Sequence, residues 1–216
     1  MNYNIIKTGS LGNAVVLNDY ILIDCGVFFK DLQDVYKDLK IVFITHEHHD
    51  HIKRATVKKL ARERPTLRWA CCEWLVPILL ECEVSERNID VLEIGKMYDY
   101  KAFKVSPIKL YHDVPNCGFR LYFGDEKVFY ATDTEHLNGI VAKDYDYYFI
   151  EANYVTSELE ERIRRKAEAG EYSYEMNAAR RHLSKEQADA FLLENAGEHS
   201  RYEYLHQHID KEKKDV

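Results

Sequence analysis

The sequence predicts a single layered α/β domain spanning residues 1–216, with two sheets facing each other and helices covering them. Three observations predict it. Short β-branched and aromatic runs separated by turn residues fill the first part of the chain and recur in its middle. Helical spacing follows such runs in each half. A chain of 216 residues, 46% of them hydrophobic, can bury a substantial core, and no internal repeat or low-complexity linker divides it.

Taken in order, strands are expected over residues 3–8, 14–18, 20–24 and 41–45, with Asn18-Asp19 suited to a tight hairpin turn. Helical spacing predicts helices over 28–39 and 49–64, the second stopped by Pro65. Apolar runs at 91–94, 103–108, 118–123, 127–131 and 147–150 predict a second group of strands. From 156 to 195 the pattern becomes charged and helical, broken at Gly170, and a last strand over 202–205 precedes a polar tail.

Charge and cysteine usage narrow the function classes. A formal net charge of −7 disfavours a protein that grips nucleic acid with its whole surface, although a local basic patch remains compatible. The five cysteines, Cys25, Cys71, Cys72, Cys82 and Cys117, lack the paired spacing of a thiolate zinc site and are expected to be reduced and buried. The first residues lack a basic start followed by an apolar run, so no secretory signal is expected. No apolar stretch approaches the roughly 20 residues a membrane-spanning helix needs. A cytoplasmic protein with no membrane partner is the resulting expectation.

The segment from Ile41 to His51 carries the chemistry: an apolar strand runs into His46, His48, His49, Asp50 and His51. Imidazole and carboxylate are the usual ligands of Zn²⁺ and related metals, and a metal-bound water can have its pKa lowered to about 7. His46 and His48, two apart at a strand end, can point the same way, and Asp50 and His51 follow as the chain turns. Two adjacent ligand sets can then serve two metal ions.

The chain resembles the metallo-β-lactamase superfamily, whose His-x-His-x-Asp-His hallmark is matched by His46, His48, Asp50 and His51. Ile21-Leu22-Ile23-Asp24-Cys25-Gly26 looks like the family's strand and aspartate-glycine turn. Three further stations match positions of metal ligands: His112 in Tyr111-His112-Asp113, Asp133 in Tyr130-Ala131-Thr132-Asp133-Thr134, and a histidine after the last strand. For that histidine His206 is preferred over His208 on register.

The resemblance implies a four-layer αββα sandwich of two facing mixed sheets. It also implies that His46, His48 and His112 hold one metal and Asp50, His51 and His206 the other, with Asp133 between them. Zinc is the first expectation, and manganese or iron also suit such ligands. Two cations about 3.5 to 4 Å apart can share a hydroxide nucleophile and stabilise transition-state charge. Asp50 is placed to orient or deprotonate the attacking water.

Within the superfamily the chain is most similar to the small WalJ-type (YycJ-like) phosphodiesterases and the transfer-RNA 3′ processing nucleases. Glu151-Ala152-Asn153 and Arg181-His182-Leu183-Ser184 look like that branch's glutamate and histidine pair, implying that His182 protonates the leaving oxygen while Glu151 orients it. Arg181 and Ser184 are then candidate substrate-binding residues, and Ser184 with Gln187 also fits a capping box. Clustered positive charge at Lys53, Arg54, Lys58, Lys59, Arg62 and Arg64, and at Arg162, Arg164, Arg165, Lys166, Arg180 and Arg181, can neutralise phosphates near the site or simply form solvated helix faces.

A dinuclear phosphodiesterase acting on nucleic acid is therefore the expected function. The rival within the superfamily is a small-molecule hydrolase of thioesters, lactones or lactams, and outside it a metal-stabilised binding module.

Overall fold

Residues 1–173 and 180–207 are described in the computed structural model of the chain. One sheet runs in the order β1 (Tyr3–Lys7), β2 (Ala14–Leu17), β3 (Ile21–Ile23), β4 (Ile41–Phe43), β5 (Arg68–Cys72) and β6 (Ile89–Leu92). The other runs β7 (Tyr98–Asp99), β8 (Lys104–Leu110), β9 (Asn116–Phe123), β10 (Glu126–Ala131), β11 (Tyr147–Glu151) and β12 (Arg201–Leu205). Each sheet begins antiparallel and ends with three or more parallel strands, β3 to β6 and β10 to β12. Both sheets are mixed.

Alternation along the strands separates the layers. Val15, Leu17, Ile21, Ile23, Ile41 and Phe43 turn inward to meet Phe119, Leu121, Val128, Tyr130 and Phe149 of the second sheet. Their neighbours Ala14, Val16, Leu22 and Val42 turn outward, under Val57 and Leu60 of α1 (Arg54–Glu63) and Ile78 and Leu79 of α2 (Val76–Glu81). On the far side Phe129, Ala131, Tyr148 and Ile150 pack under Ala188, Phe191 and Leu192 of α4 (Lys185–Asn195), which follows α3 (Thr156–Glu168). Three apolar layers between four structural ones are the αββα sandwich that the sequence implied.

Asn18 and Asp19 both take positive φ, 49° and 65°, as the tight turn between β2 and β3 requires. Gly170, at φ +69°, ends α3. Two predicted helices differ. Over 28–39 only a single 3₁₀ turn forms, Phe29–Leu32, and the Arg64 guanidinium bonds to the carbonyls of Tyr36, Lys37 and Leu39 at the end of the segment. The helix expected from 49 begins at Arg54: residues 49–51 form a turn closed by the amides of His51 and Ile52 on His48 O, and Ile52 then forms a parallel bridge with Cys25. Neither β5, α2 nor β7 is expected from the sequence. Among the described residues no helix is long and apolar enough to cross a membrane.

Candidate metal centre

The carboxyl ends of the parallel strands gather at one end of the sandwich, the general location of ligand sites in parallel sheets. β4 leads into residues 45–51, β10 into Asp133, β11 ends on Glu151, and β12 leads into His206. The bridge at Ile52 is closed by Cys25 N donating to His51 O (2.8 Å) and Lys53 N to Cys25 O (2.9 Å). This holds Asp50 and His51 in place where a helix would have carried them around its axis. Gly26 permits the approach, since a Cβ there would fall 1.6 Å from the Asp50 main-chain oxygen.

All seven sequence-predicted ligands converge. Potential donor atoms of His46, His48, His112 and Asp133 lie within 4.8 Å of one another, as do those of Asp50, His51, Asp133 and His206. Asp133 belongs to both groups. Its Oδ2 is 2.7 Å from His51 Nε2 and 3.3 Å from His46 Nε2, and its Oδ1 is 3.6 Å from His206 Nε2. His208 lies outside the described residues. A third group joins Asp133 and His206 to Glu151 and His182, with His182 Nδ1 2.6 Å from Glu151 Oε1 and 3.8 Å from Asp133 Oδ1.

The donor set fits divalent cations of the zinc class. His46 Nε2 is buried and makes no hydrogen bond, despite its proximity to Asp133, and such an atom is costly unless a ligand uses its lone pair. Burial, and then the charge of neighbouring His51, push His46 down to about 3, so it stays neutral and able to bind a metal. Burial opposes charge on His51, but Asp133 and Asp24 outweigh it and hold that imidazole well above its usual range. Asp50 is held at about 2: burial works against ionisation, and the His206 hydrogen bond with the His51 charge prevails. Asp133, buried between His51 and His206, is likewise well below the usual carboxylate range.

Partners around the ligands set their orientation. His51 Nδ1 is 2.7 Å from Asp24 Oδ2, and Asp24 also accepts from the Thr45 amide (2.9 Å) and hydroxyl (3.0 Å). His112 Nδ1 donates to Arg181 O (2.9 Å), which leaves Nε2 as its ligand atom. The His206 amide donates to Thr8 Oγ1 (2.6 Å), and Asn153 Nδ2 donates to His206 O (2.9 Å). Asp24, Asp133 and His206 all take positive φ, 62°, 54° and 52°, backbone strain concentrated at one site.

Of these supports, Asp24, Thr45 and Asn153 are not singled out by sequence as functional. Asp24, standing just before the Cys25-Gly26 turn, carried the one available signal. Asp113 is a further addition: its Oδ1 lies 3.4 Å from His48 Nε2 and 3.2 Å from His112 Nε2, and its Oδ2 lies 2.7 Å from Arg181. Arg181 therefore borders the cluster. Ser184 is buried and accepts from Gln187 N (3.2 Å) in the capping box expected for α4.

Part of each basic cluster is spent on internal pairs. Arg54 pairs with Glu81, and both Lys58 and Arg62 pair with Glu83. In the second cluster Arg164 reaches Glu168 (4.0 Å) on its own helix.

The family model described as a beta-lactamase superfamily domain matches residues 19–194. The exodeoxyribonuclease WalJ proteins of two Streptococcus pneumoniae strains are each 28% identical over 235 residues, covering 97% of this chain and 82% of theirs. Among solved structures, the metallo-beta-lactamase fold protein YhfI from Bacillus subtilis superposes with a TM-score of 0.71 at 16% identity, covering 98% of this chain and 88% of its own. The short form of human tRNase Z gives 0.69 at 18% identity, with 96% and 92% covered. Zn²⁺-bound PqqB from Methylobacterium extorquens gives 0.65 at 9%, with 96% and 89% covered. The chain thus belongs to the beta-lactamase superfamily, as a hydrolase with the metallo-β-lactamase fold and a candidate metal-binding cluster at the carboxyl ends of its parallel strands.

Proposed function

We propose that this protein is a phosphodiesterase that cleaves nucleic acid. Two divalent cations, zinc in the first place, would be held by His46, His48 and His112 and by Asp50, His51 and His206, with Asp133 shared. The observation that carries the proposal is the His182–Glu151 pair, 2.6 Å long, set against Asp133. A hydrolase of thioesters has no need of an acid-imidazole pair beside its metals, since a thiolate departs without a proton, whereas a phosphodiester needs a proton for its departing oxygen. The 28% identity to exodeoxyribonuclease WalJ supports the same reading.

Cations in this cluster supply Lewis acidity toward a phosphoryl oxygen and make a coordinated water acidic near neutral pH. The chain's own groups do the rest. Asp50, ionised across the neutral range, is available to orient that water. His182 commits Nδ1 to Glu151, leaving Nε2 to protonate the departing oxygen. Glu151 is itself fixed by the amides of Thr134 (2.8 Å) and Leu183 (3.2 Å), so it acts through His182 as a positioning residue. Arg181, at the edge of the cluster, can meet a non-bridging phosphate oxygen. The buried free thiols of Cys25, Cys71, Cys72, Cys82 and Cys117 suit a reducing cytoplasm.

The test is incubation of zinc- or manganese-loaded protein with bis-p-nitrophenyl phosphate, single-stranded DNA and RNA. Hydrolysis is expected, and His182→Ala should lower turnover of the DNA or RNA strand about 10²- to 10⁴-fold with bound metal unchanged, while bis-p-nitrophenyl phosphate, whose p-nitrophenolate departs without a proton, should be much less affected. Failure to cleave any of the three, together with turnover of a thioester or lactone, would move the protein to the small-molecule hydrolases.

A further inference from the structure

We infer that Phe28, with Lys53 and Lys30 beside it, is a stacking platform for an unpaired nucleobase next to the metal centre. The inference takes its substrate class from the phosphodiesterase proposal and narrows it to strands with unstacked bases.

Phe28 is 55% exposed and belongs to none of the three apolar cores, whereas its neighbour Phe29 packs beneath α1 against Tyr36. The nearby loop that carries Gly12 against Gly26 and Val27 also exposes Leu11, at 71%. Several large apolar side chains are exposed, and what sets Phe28 apart among them is that two lysine ammonium groups lie against its ring.

The charges around it separate it from the rest of the basic cluster. Arg54, Lys58 and Arg62 are neutralised by Glu81 and Glu83, and Arg64 is bound to main-chain carbonyls. Lys53 and Lys30 have no carboxylate partner among the described residues and hold their ammonium groups 4.5 and 5.8 Å from the centroid of the Phe28 ring. Such contacts are weak at an exposed site, and lysine stems are flexible. Both lysines can therefore swing to the phosphates of a strand while the ring takes a base. A π-face combined with mobile positive charge is the composition that binds single strands without reading sequence.

The backbone ties this platform to the ligands. Cys25 and His51 are hydrogen-bonded, Lys53 is bonded to Cys25, and Gly26 lies against the Asp50 main chain. Phe28 is two residues beyond Gly26, so its Cα lies within about 7 Å of the Gly26 Cα. The backbone therefore anchors Phe28 to the segment that presents Asp50 and His51.

The test compares binding of two fluorescein-labelled phosphorothioate strands, a short oligothymidylate and the same backbone carrying abasic units, by anisotropy with zinc-loaded protein. The wild type should bind the base-bearing strand about tenfold or more tightly, the size of one aromatic stack. Phe28→Ala should lose that preference and Phe28→Trp should keep it, with thermal melts showing both variants folded. Equal binding of the two strands by the wild type, or an undiminished preference in Phe28→Ala, would overturn the inference and leave the phosphodiesterase proposal standing. Preference for the base-bearing strand that depends on Phe28, without hydrolysis of bis-p-nitrophenyl phosphate, would support the platform while removing the proposed reaction.

Discussion

Asp24 Oδ2 lies 2.7 Å from His51 Nδ1, and both side chains are wholly buried. A negative charge so placed fixes which imidazole nitrogen faces the cluster and strengthens it as a donor. Asp24→Asn keeps the shape and removes the charge. Metal affinity, measured by competition with a chromophoric chelator, should fall roughly 10- to 100-fold. Unchanged affinity would show that Asp24 serves only the Thr45 turn.

His182 and Glu151 should behave as one unit. Glu151→Gln is expected to lower kcat with little change in KM for a single-stranded nucleic-acid substrate, whose departing oxygen needs a proton, and the double variant with His182→Ala should be scarcely slower than His182→Ala alone. Multiplying losses in that cycle would mean that the two side chains work independently.

Removal of metal should be felt by the whole fold, because Asp24, Asp50 and Asp133 are all buried at one end of the sandwich. Metal at about a hundred times its Kd adds about 2.7 kcal/mol of stability, which for a chain of this size moves the melting midpoint by roughly 5 to 10 °C. Melting curves that superimpose with and without chelator would argue against cations at this cluster.

Gly26→Ala tests the backbone approach that brings Asp50 inward. With the added Cβ only 1.6 Å from the Asp50 oxygen, one of the two segments must move. Denaturant titration should show a loss of about 3 kcal/mol or more, accompanied by weaker metal binding. A neutral outcome would mean that the Cys25–Ile52 bridge yields easily.

Ser184→Ala removes the cap of α4, whose oxygen accepts from Gln187 N. The expected cost is about 1 kcal/mol. A substrate-binding role for Ser184 would appear instead as a raised KM beyond what the stability loss explains.

The strands were legible because β-branched and aromatic runs between turn residues mark them, while which face each residue takes, Val15 and Leu17 inward and Ala14 and Val16 outward, came from the fold. The residues of β5, Arg-Trp-Ala-Cys-Cys, alternate between the same two cores but include no β-branched side chain to mark a strand. The helix expected over 28–39 failed for a different reason. Its spacing was real, but the segment closes mostly short turns, Asp31 N to Phe28 O, Val35 N to Leu32 O and Asp38 N to Val35 O, in place of a continuous helical ladder.

For the site, residue types and order in the sequence determined which imidazoles and carboxylates were available: His46, His48, Asp50, His51, His112, Asp133 and His206. The place of Asp133 between two groups of them was implied by the family resemblance, and tertiary structure alone decided that Asp24 holds His51 and that Asp113 joins Arg181 to His48 and His112. The physical reason is that coordination chemistry resides in side-chain identity, which a sequence states directly. Orientation arises from hydrogen bonds and close backbone approaches between segments far apart in the chain, and these exist only once both sheets have closed on each other.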